Sequence, residues 1–405
     1  MDRKTLREEI ASELEENLLP FWRERSFDPV RVSFVAELAN NGTVREDAPH
    51  GLILNSRLLW TFAALYRQLG DKRDLKLARQ AFEILESKFH DREHGGYFWR
   101  VDAEGHPLDL SKKIYGQAFC IYAFSEYSLA TGEPEPLQAA RELFQLIERH
   151  SRDPEFGGYI EARAADWSPA SDLRLSDKDL DVAKSMNNHL HLLEAYTTLY
   201  RVWPNPEVAS RLDDLVTIFG RHIISRKADD RHLHHFFDEA WNLRSDTRTY
   251  GHDIEAAWLL CEAGDVLGNE DLQATVRLWA IDLARSTLAR AIDGDGGIAY
   301  EGQGNEVTNP DRDWWCQAEA VVGFWHAFEL TGDPAFADAA VNVWRFIDRY
   351  QADREHGEWF WRVRADGTAD ETEPKVSEWK GPYHTVRMCL EMTRRLDEGA
   401  IGEKP

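Results

Sequence analysis

The residues best suited to chemistry gather in Gly251-His252-Asp253-Ile254-Glu255, just ahead of the apolar run Ala256-Ala257-Trp258-Leu259-Leu260. Polar groups massed in front of an apolar stretch mark the first turn of a buried helix. His252 and Glu255 stand three apart on one helical face, so Glu255 is expected to orient and charge-tune His252. Buried polar groups cost free energy unless paired, and a core helix has no packing need for a His and a Glu. The pair therefore points to acid–base work.

Comparable clusters recur near the start of other helical patterns: Asn55 with Arg57, Tyr115 with Gln117, Asn187 to His191, Trp314 to Glu319, and Tyr383 to Arg387. If those helices form an inner ring with a common direction, the clusters meet at one mouth. Asn187 and His191 are four apart and share a face, whereas His189 points elsewhere and reads as structural. Trp315 and Glu319 are spaced in the same way. Arg57 lies in an apolar context and needs an acceptor, either a sugar hydroxyl or a carboxylate. Helix N-termini carry partial positive charge, which keeps a nearby imidazole neutral and stabilises an oxyanion or enediolate. Histidines, carboxamides, an arginine and aromatic rings together suggest proton transfer on a neutral polyhydroxy substrate. There is no HExxH or other metal-spaced His/Cys set, so neither metal nor cofactor is expected.

The elements that must place these groups form a repeat. Gly-aromatic turns recur at Gly95-Gly96-Tyr97, Gly157-Gly158-Tyr159, Gly296-Gly297-Ile298 and Gly357-Glu358-Trp359, with weaker echoes at Arg31 to Val35 and His234 to Asp238. Between them, apolar residues at three- and four-residue spacing predict paired helices. The first helix runs from Leu6 to about Trp22. Pairs follow at Asn55–Leu69 with Leu75–Phe89, Tyr115–Ala130 with Pro136–Ile147, Met186–Val202 with Val208–Ile224, His252–Leu267 with Leu272–Ile292, and Trp315–Leu330 with Phe336–Tyr350. A last helix covers Pro382–Leu396. The prediction is an all-α, (α/α)6 barrel of six inner and six outer helices, with short β-hairpins at one end and a single domain over 1–405. The polar stretch Asp166 to Lys184 is long for a connector and is expected to be a lid or binding loop, or else a solvated insertion.

Composition narrows the partners. A formal charge of −24 disfavours nucleic acid and anionic membrane, because phosphates would be repelled. Fifteen tryptophans suit a sugar cleft as well as a core. Four scattered cysteines and no apolar run of spanning length fit a soluble, cytoplasmic protein. A monomer is expected.

Three strings then identify a resemblance. Lys184-Ser185-Met186-Asn187-Asn188-His189-Leu190-His191, Gly251-His252-Asp253-Ile254-Glu255 and Trp379-Lys380-Gly381-Pro382-Tyr383-His384 resemble the cellobiose 2-epimerases of the N-acylglucosamine 2-epimerase superfamily. Leu54-Asn55-Ser56-Arg57 and Trp314-Trp315-Cys316-Gln317-Ala318-Glu319 extend the similarity over nearly the whole chain. The resemblance implies an (α/α)6 barrel and cofactor-free epimerisation at C2 of the reducing-end sugar of β-1,4-linked disaccharides such as cellobiose, lactose and mannobiose. It implies that His252 and His384 are the acid/base pair; on the residues themselves, ring opening is expected to be assisted by His384 or His191. The resemblance further implies that Arg57, Asn187, His191, Glu255, Trp315 and Trp379 are pocket residues, and that Asp179 lies in the segment that reaches the non-reducing sugar; Tyr115 and Glu319, from the same helix-start clusters, are also expected to bind substrate. Arg31-Val32-Ser33-Phe34 departs from the Gly-Gly turn usual at the first hairpin. An N-acylglucosamine epimerase, a mannose isomerase of the same superfamily, or an inverting hydrolase using Glu255 and Glu319 are the rival readings.

Overall fold

Two kinds of helix alternate along the chain, and their sequences explain why. The computed structural model describes residues 2–227 and 230–402. Its helices are α1 (Arg3–Ser12), α2 (Leu19–Arg25), α3 (Leu52–Leu69), α4 (Lys72–Ile84), α5 (Ile114–Thr131), α6 (Pro134–His150), α7 (Met186–Val202), α8 (Pro206–Ile218), α9 (Tyr250–Leu267), α10 (Glu270–Ala291), α11 (Trp314–Thr331), α12 (Pro334–Phe346) and α13 (Tyr383–Gly402). The odd-numbered helices from α3 to α11 are apolar on nearly every side; α5 buries Ile114 through Ser128 without a break. The even-numbered partners α4, α6, α8 and α12 bury a stripe, such as Ala140, Leu143, Phe144 and Ile147 of α6, and present charge elsewhere. This is the inner–outer alternation of the (α/α)6 class. The expected first helix is longer than its apolar pattern: α1 continues through a π-helical turn, Glu13–Leu18, into α2.

The chain falls into two compact units. One comprises Met1–Arg45, Thr249–Trp258 and Arg277–Pro405, the other Glu46–Arg248 and Leu259–Val276. In the second unit α3 packs on α5 and α5 on α7; in the first, α13 packs on α1 and on α11. Gly70, Gly132 and Gly332 end α3, α5 and α11 in the left-handed region, the conformation that closes a helix without a Cβ penalty.

The hairpins between helix pairs share one construction. In the second unit, Asp91 Oδ1 accepts the backbone N–H groups of Glu93 and His94, and Oδ2 accepts Lys112 Nζ at 2.7 Å. Asp153 repeats this with Glu155, Phe156 and Lys184 Nζ at 2.6 Å. In the first unit Asp353 takes Glu355, His356 and Lys375 Nζ at 2.6 Å, and Asp293 takes Arg312 Nη2 at 2.9 Å. The lysines are fully buried, so the three turns they reach are each tied by an ion pair that solvent barely screens, whereas Asp293 is largely exposed. A side chain from the following inner helix grips the turn's backbone as well. Gln117 bonds both N and O of Tyr97, Gln317 both of Ile298, and His189 Nε2 accepts from Tyr159 N.

Glycine is obligatory at the second position of two turns. Gly96 has φ +73, and a Cβ there would stand 2.7 Å from Trp167; Gly158 has φ +76, and its Cβ would stand 2.5 Å from Trp241. Those indoles lie over the turns and donate to them, Trp167 to His94 and Gly95 carbonyls, Trp241 to Phe156. Trp167 opens the long 166–184 stretch, whose Asp172 carbonyl also receives Lys113 Nζ at 3.0 Å.

Candidate active site

Within the first unit, three inner helices bring together the residues that the sequence singles out. Tyr250, Gly251 and His252 form the first turn of α9, Trp315 and Glu319 lie in the first turns of α11, and His384 and Arg387 in the first turn of α13. Gly251 allows this approach, since a Cβ would stand 2.5 Å from Cys316 Sγ and 2.7 Å from the Trp315 ring. The Trp315 indole consequently touches both imidazoles, with ring centroids 4.6 Å from His252 and 5.7 Å from His384.

The two histidines are held differently. His384 Nδ1 lies 2.7 Å from Glu319 Oε1, with side-chain exposures of 6% and 1%. A carboxylate at Nδ1 fixes the tautomer, leaves Nε2 for proton transfer, and stabilises the imidazolium when it forms. His252 Nδ1 meets Thr249 Oγ1, a neutral partner. Glu255, expected to orient His252, is engaged by Arg387, whose Nη2 donates at 2.7 Å to Glu255 Oε1 and at 2.6 Å to Glu319 Oε1. The guanidinium also lies over the rings of Tyr383 and Trp258, and Trp258 Nε1 donates to Glu319 Oε2 at 3.1 Å. Burial pushes the Glu319 carboxyl up, but Arg387 and His384 outweigh it and hold the group below the usual carboxylate value.

Arg387 is the residue whose role the sequence left unread. Ligand atoms of Glu255, Glu319 and His384 come within 4.8 Å of one another, a grouping able to hold a cation. The guanidinium already bonds both carboxylates and supplies that positive charge. Helical spacing placed Arg387 three residues beyond His384, and a lone arginine among Tyr383, Val386, Met388 and Leu390 was the available signal.

The second unit holds its own polar cluster. Arg57 Nη2 donates to Tyr115 Oη at 2.9 Å, and the guanidinium lies 4.5 Å from the centroid of Phe119. The tyrosine hydroxyl is thus an acceptor for Arg57, where a sugar hydroxyl or carboxylate was expected. His191 rests against Tyr115 and Phe119 at centroid distances of 5.0 and 4.8 Å, and its Nδ1 lies 2.9 Å from Glu194 Oε2. Glu194 is a second carboxylate that the sequence did not flag, although it sits one turn beyond His191. Asn187 is half-buried, and its Oδ1 is shielded from solvent with no hydrogen-bond partner among the described residues. His189 is spent structurally as expected: Nδ1 bonds Ser185 O at 2.7 Å and Nε2 the Tyr159 amide at 3.0 Å, and burial pulls its pKa down to about 3. Asp179 closes a local turn, accepting Ser176 N and Oγ at 2.9 Å each. Trp379 is half-buried in the segment before α13.

Residues 33–387 match the family model of the N-acylglucosamine 2-epimerases. The chain is 41% identical over 390 residues to a cellobiose 2-epimerase of Bacteroides fragilis, covering 96% of this chain and 98% of the relative. It is 40% identical over 391 residues to one from Ruminococcus albus, covering 96% and 99%. Among solved structures, a cellobiose 2-epimerase from Bacillus thermoamylovorans B4167 superposes with a TM-score of 0.92 at 36% identity, over 97% of this chain and 100% of that one.

Proposed function

The chain belongs to the N-acylglucosamine 2-epimerase family, and from that premise we propose that it inverts C2 of the reducing-end sugar of β-1,4-linked disaccharides, interconverting cellobiose and glucosyl-mannose. The observation that carries the proposal is the Trp315 indole flanked by His252 and His384, two imidazoles with separate supports. Inversion at one carbon needs a base on one face and an acid on the other.

In the proposed reaction a histidine, His384 or His191, assists opening of the hemiacetal to the C1 aldehyde. His252 or His384 then takes the C2 proton, and the electron pair moves onto the aldehyde oxygen to give a cis-enediolate. Rotation about C2–C3 presents the other face, and the opposite histidine returns a proton to C2. Glu319 favours the cationic form of His384 during this exchange. Glu255 and Arg387 fix the position of Glu319 through their shared hydrogen bonds. Trp315 and Trp379 offer apolar faces to a sugar ring. We assign substrate binding to Arg57, Tyr115, Asn187 and His191, which present a fixed cation, hydroxyl and amide groups of the kind sugars require. Asp179, held in its turn, is proposed for the non-reducing sugar. The enzyme is proposed to act as a monomer in the cytoplasm.

The test is NMR of the purified protein with cellobiose in D2O and a chelator. Glucosyl-mannose carrying deuterium at C2 supports the reading. Conversion of N-acetylglucosamine or mannose with cellobiose untouched would move the substrate to another branch of the family, and release of free glucose would replace epimerisation by hydrolysis. His252→Asn and His384→Asn should each abolish turnover while leaving the circular dichroism spectrum unchanged.

A further inference from the structure

The last hairpin of the first unit breaks the pattern of its relatives in this chain at two places. Asp353-Arg354-Glu355-His356-Gly357 repeats Asp91-Arg92-Glu93-His94-Gly95 letter for letter, yet Glu358 stands where Gly96 and Gly158 stand elsewhere. The equivalence is structural: Asp91 N, Asp153 N and Asp353 N bond the carbonyls of Gly96, Gly158 and Glu358 in turn. Glu358 also adopts the glycine conformation, φ +62, which an L side chain rarely takes. A glycine would satisfy that backbone at lower cost. A strained residue that persists where its counterparts are glycine calls for a reason in its side chain.

The second departure lies downstream. Lys112 and Lys184, the buried lysines of the hairpin ties, stand two residues before α5 and α7, whereas Lys375 stands eight residues before α13. The additional stretch, Val376 to Gly381, carries Trp379 and Lys380. Lys380 is fully buried, and its Nζ lies 3.2 Å from Glu358 Oε1, 3.2 Å from the Lys375 carbonyl, and above the Trp314 ring. The other oxygen of Glu358 accepts Trp22 Nε1, and its backbone N donates to Asn17 Oδ1 at 3.1 Å. Burial pulls the Lys380 ammonium down to about 8 against the opposing pull of Glu358. The extra segment and the extra carboxylate thus occur in the same repeat and bond to each other.

We propose that Glu358 and Lys380 are positioning residues, a buried ion pair that ties the 376–381 segment to the last hairpin and so sets where Trp379 presents its indole to the sugar. The role of Trp379 rests on the proposed function; the tie itself does not. His384 has an independent support in Glu319, on α11, so loosening the segment should disturb Trp379 far more than His384.

Two variants test this. Glu358→Gly restores the residue of the sister turns, and E358G/K380M also removes the unmatched charge, so that a stable protein is available for study. Hydrogen–deuterium exchange is read first, because it requires no substrate. Amides of 377–381 should lose protection in E358G/K380M while those of α11 keep theirs; unchanged protection at 377–381 overturns the tie whatever the enzyme acts on. With cellobiose, KM should rise about tenfold, the worth of one lost aromatic–sugar contact, with kcat within about twofold. A proportional fall in kcat at constant KM would place the effect on His384 and overturn the positioning of Trp379. Failure of the wild-type protein to turn over cellobiose strikes the proposed function alone and leaves the exchange result to decide the tie.

Discussion

Glu319→Gln removes one charge and almost nothing else. In the native protein Glu319 Oε1 accepts His384 Nδ1 at 2.7 Å and Arg387 Nη2 at 2.6 Å, and Oε2 accepts Trp258 Nε1 at 3.1 Å. A glutamine can leave its oxygen towards His384 and Arg387, but its NH2 then faces the indole N–H, donor against donor. The bond from His384 becomes a neutral one and the bond from Arg387 loses the charge of its acceptor, at about 1 kcal/mol each, and the indole loses its acceptor at about 1–2 kcal/mol. Folding stability should therefore fall by about 3–4 kcal/mol. The effect on rate is separate. A carboxylate 2.7 Å from Nδ1 stabilises the imidazolium more than the neutral ring, and at 1% exposure solvent does not soften the difference. Losing about 1.5–3 kcal/mol of that preference should lower kcat about 10- to 100-fold. Glu255→Gln, which bonds Arg387, should cost about threefold by comparison. The assay is the initial rate of glucosyl-mannose formation by chromatography, alongside urea unfolding of each variant. A folded E319Q protein with native kcat, or an E255Q variant as damaged as E319Q, would refute the assignment of His384's support to Glu319.

Lys184→Met deprives Asp153 of its buried partner and leaves the Gly157 and Glu239 carbonyls without their donor, so urea unfolding should show a loss of about 3–5 kcal/mol. The exposed Lys4–Glu8 pair is the control, and Lys4→Met should change stability by less than about 0.5 kcal/mol. Glu161 is buried against Ser185, and burial pushes its pKa from 4.5 to about 8. Between those values the folded chain keeps a proton that the unfolded chain releases, so stability should decline as pH rises from 4.5 to 8. Glu161→Gln should flatten that decline in thermal melts across the range, and an unaltered slope would remove Glu161 as its source.

The sequence made the helices legible because their apolar spacing is the physics that buries them. Met186–Val202 falls where the pattern put it, and most other boundaries lie within a few residues. What it blurred was the register of polar residues at helix starts. Gln117, His189 and Gln317, each the fourth residue of its helix, recur in step because each clamps a hairpin backbone, while Arg57, His191, Glu255 and Glu319, each the sixth, recur in step facing other side chains. One repeat thus carried two signals, structural and chemical, and spacing alone could separate them only at His189. The partner of Glu255 was illegible for a different reason. Its i,i+3 relation to His252 is local and readable, whereas the guanidinium that takes it comes from Arg387, 132 residues away in the chain. The buried lysines were readable in principle, since Lys112 and Lys184 each stand two residues before a helix, yet a lysine ordinarily reads as surface.

The two indole covers also impose an order in time. The Gly95-Gly96 turn receives Trp167, 73 residues beyond the carbonyl it caps, and the Gly157-Gly158 turn receives Trp241, 85 residues beyond its own. Each turn is finished by the repeat that follows it. On a ribosome that releases the chain N-terminus first, each of these two turns therefore waits for the repeat after it, and the nascent protein carries an unlatched turn until that repeat emerges.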